Sequence, residues 1–412
     1  MKKILALLLA VVMVLGMVAC ASKTEAPAET TTTEPAAETT TEETKTEEPA
    51  KEEETATEEQ PTEAEGVIKK VALVTDVGTI DDESFNQATW QGVKAYCEAN
   101  GIEYTYYQPT EDSTDARCIS IDQAIKEGAN VVVMPGYLFG GSIVREQEKY
   151  PEGYFIAVDV GAGDLTEDYA TYYDPAKNVV CATFAEEQAG YLAGYAVVMD
   201  GYTKLGFLGG MAVPAVVRYG YGFVQGADAA ATELGADVSV NYVYGNQFSG
   251  DADITAYMDT WYANGTEVVF ACGGGIYISA AEAAAKVGGK VIGVDVDQAP
   301  TIDAYGEGMT VTSAMKGLAP TVKAILGELI LKDNWAEYAG KINTLGLVSG
   351  TDVEANYVQI PYESTQWSDT FTKDDYAALV AAMFDGTVTV SNNTETEPAV
   401  QSITVDYQGN IK

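Results

Sequence analysis

The sequence predicts an α/β protein built as two doubly wound, parallel-sheet lobes joined by a hinge. Three observations carry this prediction. Short apolar runs alternate with helically spaced segments in two successive series, the first ending near Asp159 and the second near Asp295. The runs end in Gly or Asp and pass into polar loops, as strands of an open sheet do. At 412 residues the chain has room for two such units and a tail.

Residues 1–20 read as a secretory signal: Lys2 and Lys3 precede an apolar run from Ile4 to Val18, which ends in Ala19 and Cys20. Small residues before a closing cysteine resemble the lipobox of bacterial lipoproteins, although Met17 stands where Leu is commonest. Cleavage before Cys20 and a diacylglycerol on its sulfur are expected, which would put the chain outside the cytoplasm on a membrane anchor. The apolar run falls short of the ~20 residues a membrane span needs. Residues 21–65 hold 15 acidic and 3 basic side chains, a net of −12, and no aromatic or large aliphatic residue. Such a segment buries no core, so 21–66 is expected to be a disordered, extended acidic tether.

The remainder follows in order. A buried strand over 71–75 runs into a loop with Asp76, Gly78, Asp81 and Asp82, and a helix opens near Ser84. Trp90, Val93, Tyr96 and Cys97 keep helical spacing to Gly101, the expected C-cap. A strand at 103–108, a helix capped by Ser113, a strand at 131–134, a helix near 142–150 and a strand ending at Asp159 complete the first series. The Gly-, Asp- and Tyr-rich stretch from 160, with a short strand near 179–183, reads as a crossing between lobes. The second series has helix 184–200, strand 203–208, helix 215–233, strand 238–244, helix 251–264, strand 267–271, helix 276–287 and strand 290–294. The N-terminal lobe is thus expected at 67–183 with about 309–340, the C-terminal lobe at 184–308 with about 341–385, and an extension at 386–412. In that extension and just before it, a helix is expected near 376–384 and β-prone runs near 387–390 and 400–406.

From residue 66 on there are 47 acidic and 18 basic residues, a net of −29. That surface disfavours nucleic-acid polymers and anionic lipid headgroups. The chain contains no His, which removes Ser-His-Asp and Cys-His nucleophile systems and the common zinc ligand sets. Cys97, Cys118, Cys181 and Cys272 lack CxxC spacing and read as buried free thiols, although a disulfide is not excluded by spacing. No metal site and no cofactor is expected.

Ligands of open α/β sheets bind beyond the carboxyl ends of the strands. The loop after the first strand brings a ring, Phe85, an amide, Asn86, and carboxylates to that edge, which suits a neutral, flat, polyhydroxylated molecule. The plainer alternative is that Asp82 or Ser84 caps the helix and Phe85 is core.

With these loops the chain resembles the basic membrane protein family of lipoproteins, which includes purine-nucleoside receptors of ABC transporters. The resemblance covers about residues 68–360 and rests on TDVGTIDDESFNQATWQG (75–92), ATFAEEQAGYLAG (182–194), GFLGGMAVPAVVRYGYGFVQG (206–226), GNQFSGD (245–251), CGGG (272–275), IGVDVDQ (292–298) and SAMKG (313–317). It implies a type I periplasmic-binding-protein fold and no catalysis. Carried over, Phe85 and Phe248 would sandwich a purine, and Asp159 would accept from the base edge. Asp76 and Asn86 would line the pocket, Asp295 and Lys316 would hold the ribose hydroxyls, and Gly274 would let backbone approach closely. Asp297 is expected to be structural and Lys316 to open a helix; Trp90 is expected in the core, and Arg218 and Tyr219 are candidates for the hinge or cleft. The chain departs from the family pattern in its tether, at Met211–Pro214 and at Tyr219, where Phe is common.

The leading expectation is a monomeric, membrane-tethered receptor that captures purine nucleosides such as guanosine, inosine or adenosine for an ABC permease and its ATPase. Another flat polyol such as riboflavin, or a surface sensor without transport, are the alternatives. A nucleosidase with paired carboxylates has no motif in its favour.

Overall fold

Residues 67–411 are described by the structure, a computed structural model. The expected signal, Cys20 and the tether lie outside the described residues. The first series forms β1 (Lys70–Val74), α1 (Phe85–Asn100), β2 (Glu103–Tyr107), α2 (Thr114–Lys126), β3 (Val131–Pro135), α3 (Gly140–Lys149), β4 (Tyr154–Val158) and β5 (Val179–Phe184). The caps are those the residues dictate. Gly101 takes φ 65° and ends α1, and the Ser113 hydroxyl accepts from the Ala116 amide at the start of α2.

The second series forms α4 (Glu186–Met199), β6 (Lys204–Gly209), α5 (Pro214–Leu234), β7 (Val238–Tyr244), α6 (Ala252–Ala263), β8 (Val268–Cys272), α7 (Tyr277–Ala285), β9 (Lys290–Asp295), α8 (Ala299–Ile302) and β10 (Thr310–Lys316). Then come α9 (Leu318–Ala324), continued as a π-helical stretch over Ile325–Leu331, α10 (Trp335–Tyr338), β11 (Lys341–Leu345), β12 (Val358–Gln359), α11 (Lys373–Phe384) and β13 (Ile403–Asn410).

Two sheets result. The first has the order β11-β5-β4-β3-β1-β2 and is parallel throughout; the second runs β12-β10-β9-β8-β6-β7-β13, with β12 antiparallel to β10. In both, the first strand of the series lies between the second and third. The connection therefore reverses beside β1 and beside β6, which opens a crevice at the carboxyl ends of those strands. Inner strands such as β3 and β8 are buried along their whole length, as strands covered on both faces must be.

Two placements differ from the sequence reading. Strand β10 stays in the second sheet beside β9, because only the short α8 connection separates them and sequential strands tend to pair. Strand β11 joins the first sheet, pairing Ile342 with Cys181 and Thr344 with Thr183. The chain returns to the first lobe through α9, which packs against α1 so closely that a Cβ on Gly92 would sit 2.8 Å from the Ala319 Cα. The chain thus passes between sheets after β5, after β10 and after β11. The β-prone run 387–390 makes no strand, while 400–406 falls largely within β13 on the β7 edge.

Helices α4 and α5 cover one face of the second lobe and cross at near backbone contact. A Cβ on Gly190 would lie 2.1 Å from the Tyr219 carbonyl oxygen, and one on Gly222 would lie 2.1 Å from that of Glu187. Only residues without a side chain admit this approach, which holds Glu186 and Glu187 against Arg218 and Tyr219. Cys97, Cys118, Cys181 and Cys272 are all buried free thiols.

Candidate functional site

The loops at the carboxyl ends of both sheets enclose a cavity of about 400 Å³ lined by residues of both lobes. Asp76, Phe85, Asn86, Asp159, Phe248, Gly274, Asp295 and Lys316 all line it.

The first-lobe loop is fixed by its own carboxylates. Asp82 accepts from the amides of Ser84, Asn86 and Gln87 and so caps α1, as the plainer reading had it for this residue. Ser84 does not cap through its side chain: its hydroxyl donates to Asp295 Oδ2 in the other lobe at 2.6 Å. The Asn86 amide donates to both Asp76 and Asp82 at 3.0 Å, and Asp76 also accepts from the Gly78 amide. The work of Asn86 is therefore to tie the loop together. Burial raises the Asp76 pKa against the pull of those donors. Phe85 stays half-buried at the cavity wall, and Trp90 packs half-buried against Tyr104 and Tyr106 on the outer side of α1.

Asp159 and Asp295 follow or end β4 and β9 with φ of 58° and 66°. This left-handed backbone is one that Asp tolerates better than most residues, and it breaks the strand where the carboxylate meets the cavity. Between them stands Lys316. It is the last residue of β10, two residues ahead of α9, and not itself the opening of a helix. Its ammonium contacts Asp159 Oδ2 and lies 3.6 Å from both Glu186 Oε1 and Asp295 Oδ1. It also sits 4.7 Å from the centroid of the Phe85 ring and 5.7 Å from those of Phe184 and Tyr219.

Lys316 is 6% exposed, and burial alone would favour its neutral form. Asp159, Asp295 and Glu186 outweigh that and hold the ammonium above the usual Lys range. One ammonium does not neutralise three carboxylates, however. Burial pushes Asp159 up to about 7 against the pull of Lys316, with Glu186 adding to the rise. Glu187 is likewise pushed up to about 7, by burial first and Glu186 second. Arg218 bonds Glu186 Oε2 through Nε at 2.6 Å. Asp159 Oδ1, Glu187 Oε2 and the Tyr219 hydroxyl are buried, belong to cavity-lining residues and have no protein hydrogen-bond partner. A buried polar atom left in that state costs about 1–3 kcal/mol, which a polar ligand can relieve.

Phe248 is seated among glycines. A Cβ on Gly210 would meet its ring at 2.5 Å and one on Gly273 at 3.0 Å, while one on Gly274 would lie 3.0 Å from its carbonyl oxygen. The close approach expected of Gly274 is thus to the backbone that carries the ring. Asp297 accepts from the Ala299 amide in the turn to α8, a structural role.

Sequence reading missed Glu186 and Glu187. Acids in the first turn of a helix are ordinary complements to its dipole, so nothing local marked them as buried. Arg218 and Tyr219, left open between hinge and cleft, both line the cavity.

The two sheets and the polar cleft between them make a two-lobe α/β shell able to enclose a small solute. The chain belongs to the ABC transporter substrate-binding protein PnrA-like family, whose model matches residues 69–374. That family is one of substrate-binding proteins and not of enzymes. A nucleoside-binding protein of an ABC transporter, BmpA of Lactococcus lactis subsp. cremoris, is 30% identical over 242 residues, 56% of this chain and 64% of that protein. Basic membrane protein A1 of Borrelia garinii subsp. bavariensis is 28% identical over 303 residues, 73% of this chain and 83% of the relative. A CD4+ T-cell-stimulating antigen of Listeria monocytogenes is 30% identical across 63% of its length, so the chain spans under two thirds of that relative and of the Lactococcus protein. Solute-binding proteins of ABC systems from Conexibacter woesei and Aeropyrum pernix superpose with TM-scores of 0.60 and 0.58 at 21% and 20% identity. Each covers 79% of this chain, with 99% and 88% of the respective neighbour covered, and this likeness defines the fold as the type I periplasmic-binding-protein fold. Among the described residues no helix is long and apolar enough to cross a membrane, and no cluster of His, Cys, Asp or Glu is placed to hold a metal.

Proposed function

We propose that the protein captures purine nucleosides in the interlobe cleft and delivers them to an ABC permease, tethered to the membrane through Cys20. The observation that carries this reading is the pairing of Phe85 and Phe248, from opposite lobes, around one cavity that also holds the Asp159–Lys316–Asp295 group. Two rings can stack on a flat base, at about 1–3 kcal/mol each in comparable base contacts. Asp295 is positioned to accept from adjacent ribose hydroxyls, with Lys316 donating beside it, and Asp159 Oδ1 is open to a base N–H. The nucleoside-binding relative in Lactococcus supports the same class of ligand.

Ser84 holds Asp295, and Glu83 meets both the Tyr277 hydroxyl at 2.5 Å and the Gln298 side chain at 3.1 Å across the cleft. These bonds close the mouth once the lobes approach, so a ligand that touches both lobes selects the closed form.

The test is native mass spectrometry of the purified protein, followed by thermal unfolding with guanosine, inosine, adenosine and riboflavin. A nucleoside at ~100 times its Kd stabilises by about 2.7 kcal/mol. Stabilisation by riboflavin and by none of the nucleosides would replace the reading with a flavin receptor. Near-normal ribonucleoside affinity in Asp295→Ala would remove the ribose assignment.

A further inference from the structure

We infer that residues 386–402 form a strap that walls one end of the ligand cavity and limits the size of ligand it admits; the inference rests on the nucleoside reading of that cavity. The family match ends at residue 374, so this segment is additional to the shared two-lobe shell. It is not loose chain. After α11 the Val388 amide bonds the Ala382 carbonyl at 2.9 Å, and Val388, Val390 and Val400 pack on the main core.

Two clamps from α5 then hold it. The Gln225 side-chain amide pairs both ways with the backbone of Ser391, donating at 3.0 Å and accepting at 2.8 Å. Asp228 accepts from the amides of Gln401 and Ser402 at 2.9 and 2.7 Å, and the Thr232 and Ser402 hydroxyls bond at 2.8 Å. Positions 225, 228 and 232 share one face of the helix. Between the clamps the loop is stiffened by Asn393, which accepts from the amides of Glu395 and Thr396 in an Asx-type turn.

Asn392 follows the first clamp directly and lines the ligand cavity. The same cavity is lined by Val213–Val216 and Arg218 of the α5 start and by Ile342 and Thr344 of edge strand β11. Covering the exposed edge of β7 requires only β13. It does not require the chain to pass the cavity clamped at Ser391.

The test uses the full chain and two variants that leave β13 intact: Gln225→Ala, which frees Ser391, and Asn392→Gly. Calorimetric Kd values are measured for inosine and for two bulkier analogues, one extended at the 5′ oxygen and one at C2 of the base. Rejection of added bulk by a packed wall is typically 10- to 200-fold per small group, so opening the wall should improve the Kd of at least one analogue relative to inosine on the order of tenfold in both variants. Hydrogen exchange in 389–400, but not in 403–410, should also slow when inosine binds the unaltered chain. An unchanged Kd ratio in both variants makes the segment a structural cover and overturns the inference alone. Failure of inosine to bind the unaltered chain overturns the nucleoside reading, and the strap's role with it.

Discussion

Replacing Lys316 by Met shortens the side chain by only its terminal atom and removes the ammonium that Asp159, Glu186 and Asp295 share. With Glu186 and Asp295 oxygens at 3.6 Å and Asp159 in direct contact, the variant strips Asp159 and Asp295 of their direct cation and leaves Glu186 with Arg218 alone, in a site where Lys316 itself is 6% exposed. Removing one partner of a buried ion pair costs about 3–5 kcal/mol, because the remaining charge stays desolvated. That loss should appear at pH 8 in urea unfolding followed by fluorescence. At pH 5 it should be smaller. Asp159 already has its folded pKa raised to about 7 from the usual Asp value of 3.8. A raised carboxyl pKa contributes stability that is full below the unfolded value and lost as pH rises through the folded one. Without the ammonium the folded pKa of Asp159 climbs further, so its carboxyl is neutral at pH 5, whereas at pH 8 the fold bears the cost of keeping it protonated or of burying its charge. A loss under ~1 kcal/mol at pH 8, or the same loss at both pH values, would show that Lys316 does not neutralise this cluster.

Other outcomes follow from the same geometry. The unaltered protein should itself be more stable at pH 5 than at pH 8, by at least the ~1.4 kcal/mol of one pKa unit, since both Asp159 and Glu187 lie near 7; urea midpoints at the two pH values check this. Gly222→Ala places a methyl group 2.1 Å from the Glu187 carbonyl oxygen and should cost about 1–3 kcal/mol or more by overpacking, read from the same unfolding curves. Phe248→Ala should weaken inosine binding by roughly 5- to 150-fold in calorimetry. Inosine monophosphate should not raise the melting temperature at concentrations where inosine does. The cavity is lined by Asp76, Asp82, Asp159, Asp164, Glu187 and Asp295 against only Arg218 and Lys316, so a phosphate adds like charge.

Much of the fold was legible because each element carried its own signal. The first series, with Gly101 and Ser113 as punctuation, and the strand–helix alternation through β9 follow local pattern and capping. Sheet membership was not legible for β10 and β11. Strand β10 pairs with its sequence neighbour β9 across the short α8 connection, whereas β11 finds β5 over long range once α9 has docked on α1, and neither choice is marked in the strands themselves. At the site, the motif-bearing residues came together around one cavity, yet their bonding did not follow from the motif. Asn86 spends its amide on Asp76 and Asp82, and Lys316 serves three carboxylates because Glu186, silent in sequence, is carried in by the glycine-lined contact of α4 with α5.

The three passages of chain between the sheets have a mechanical consequence. Two bodies joined by one flexible connection can swivel and slide, whereas three side-by-side connections leave little freedom beyond rotation about a common axis. Phe184, Lys316 and Thr344 stand at the start of these passages and line the cavity, so the axis runs along the wall that any captured molecule touches. On the proposed function, occupancy of the interior translates into one reproducible outer shape, which a transporter can read without meeting the cargo itself.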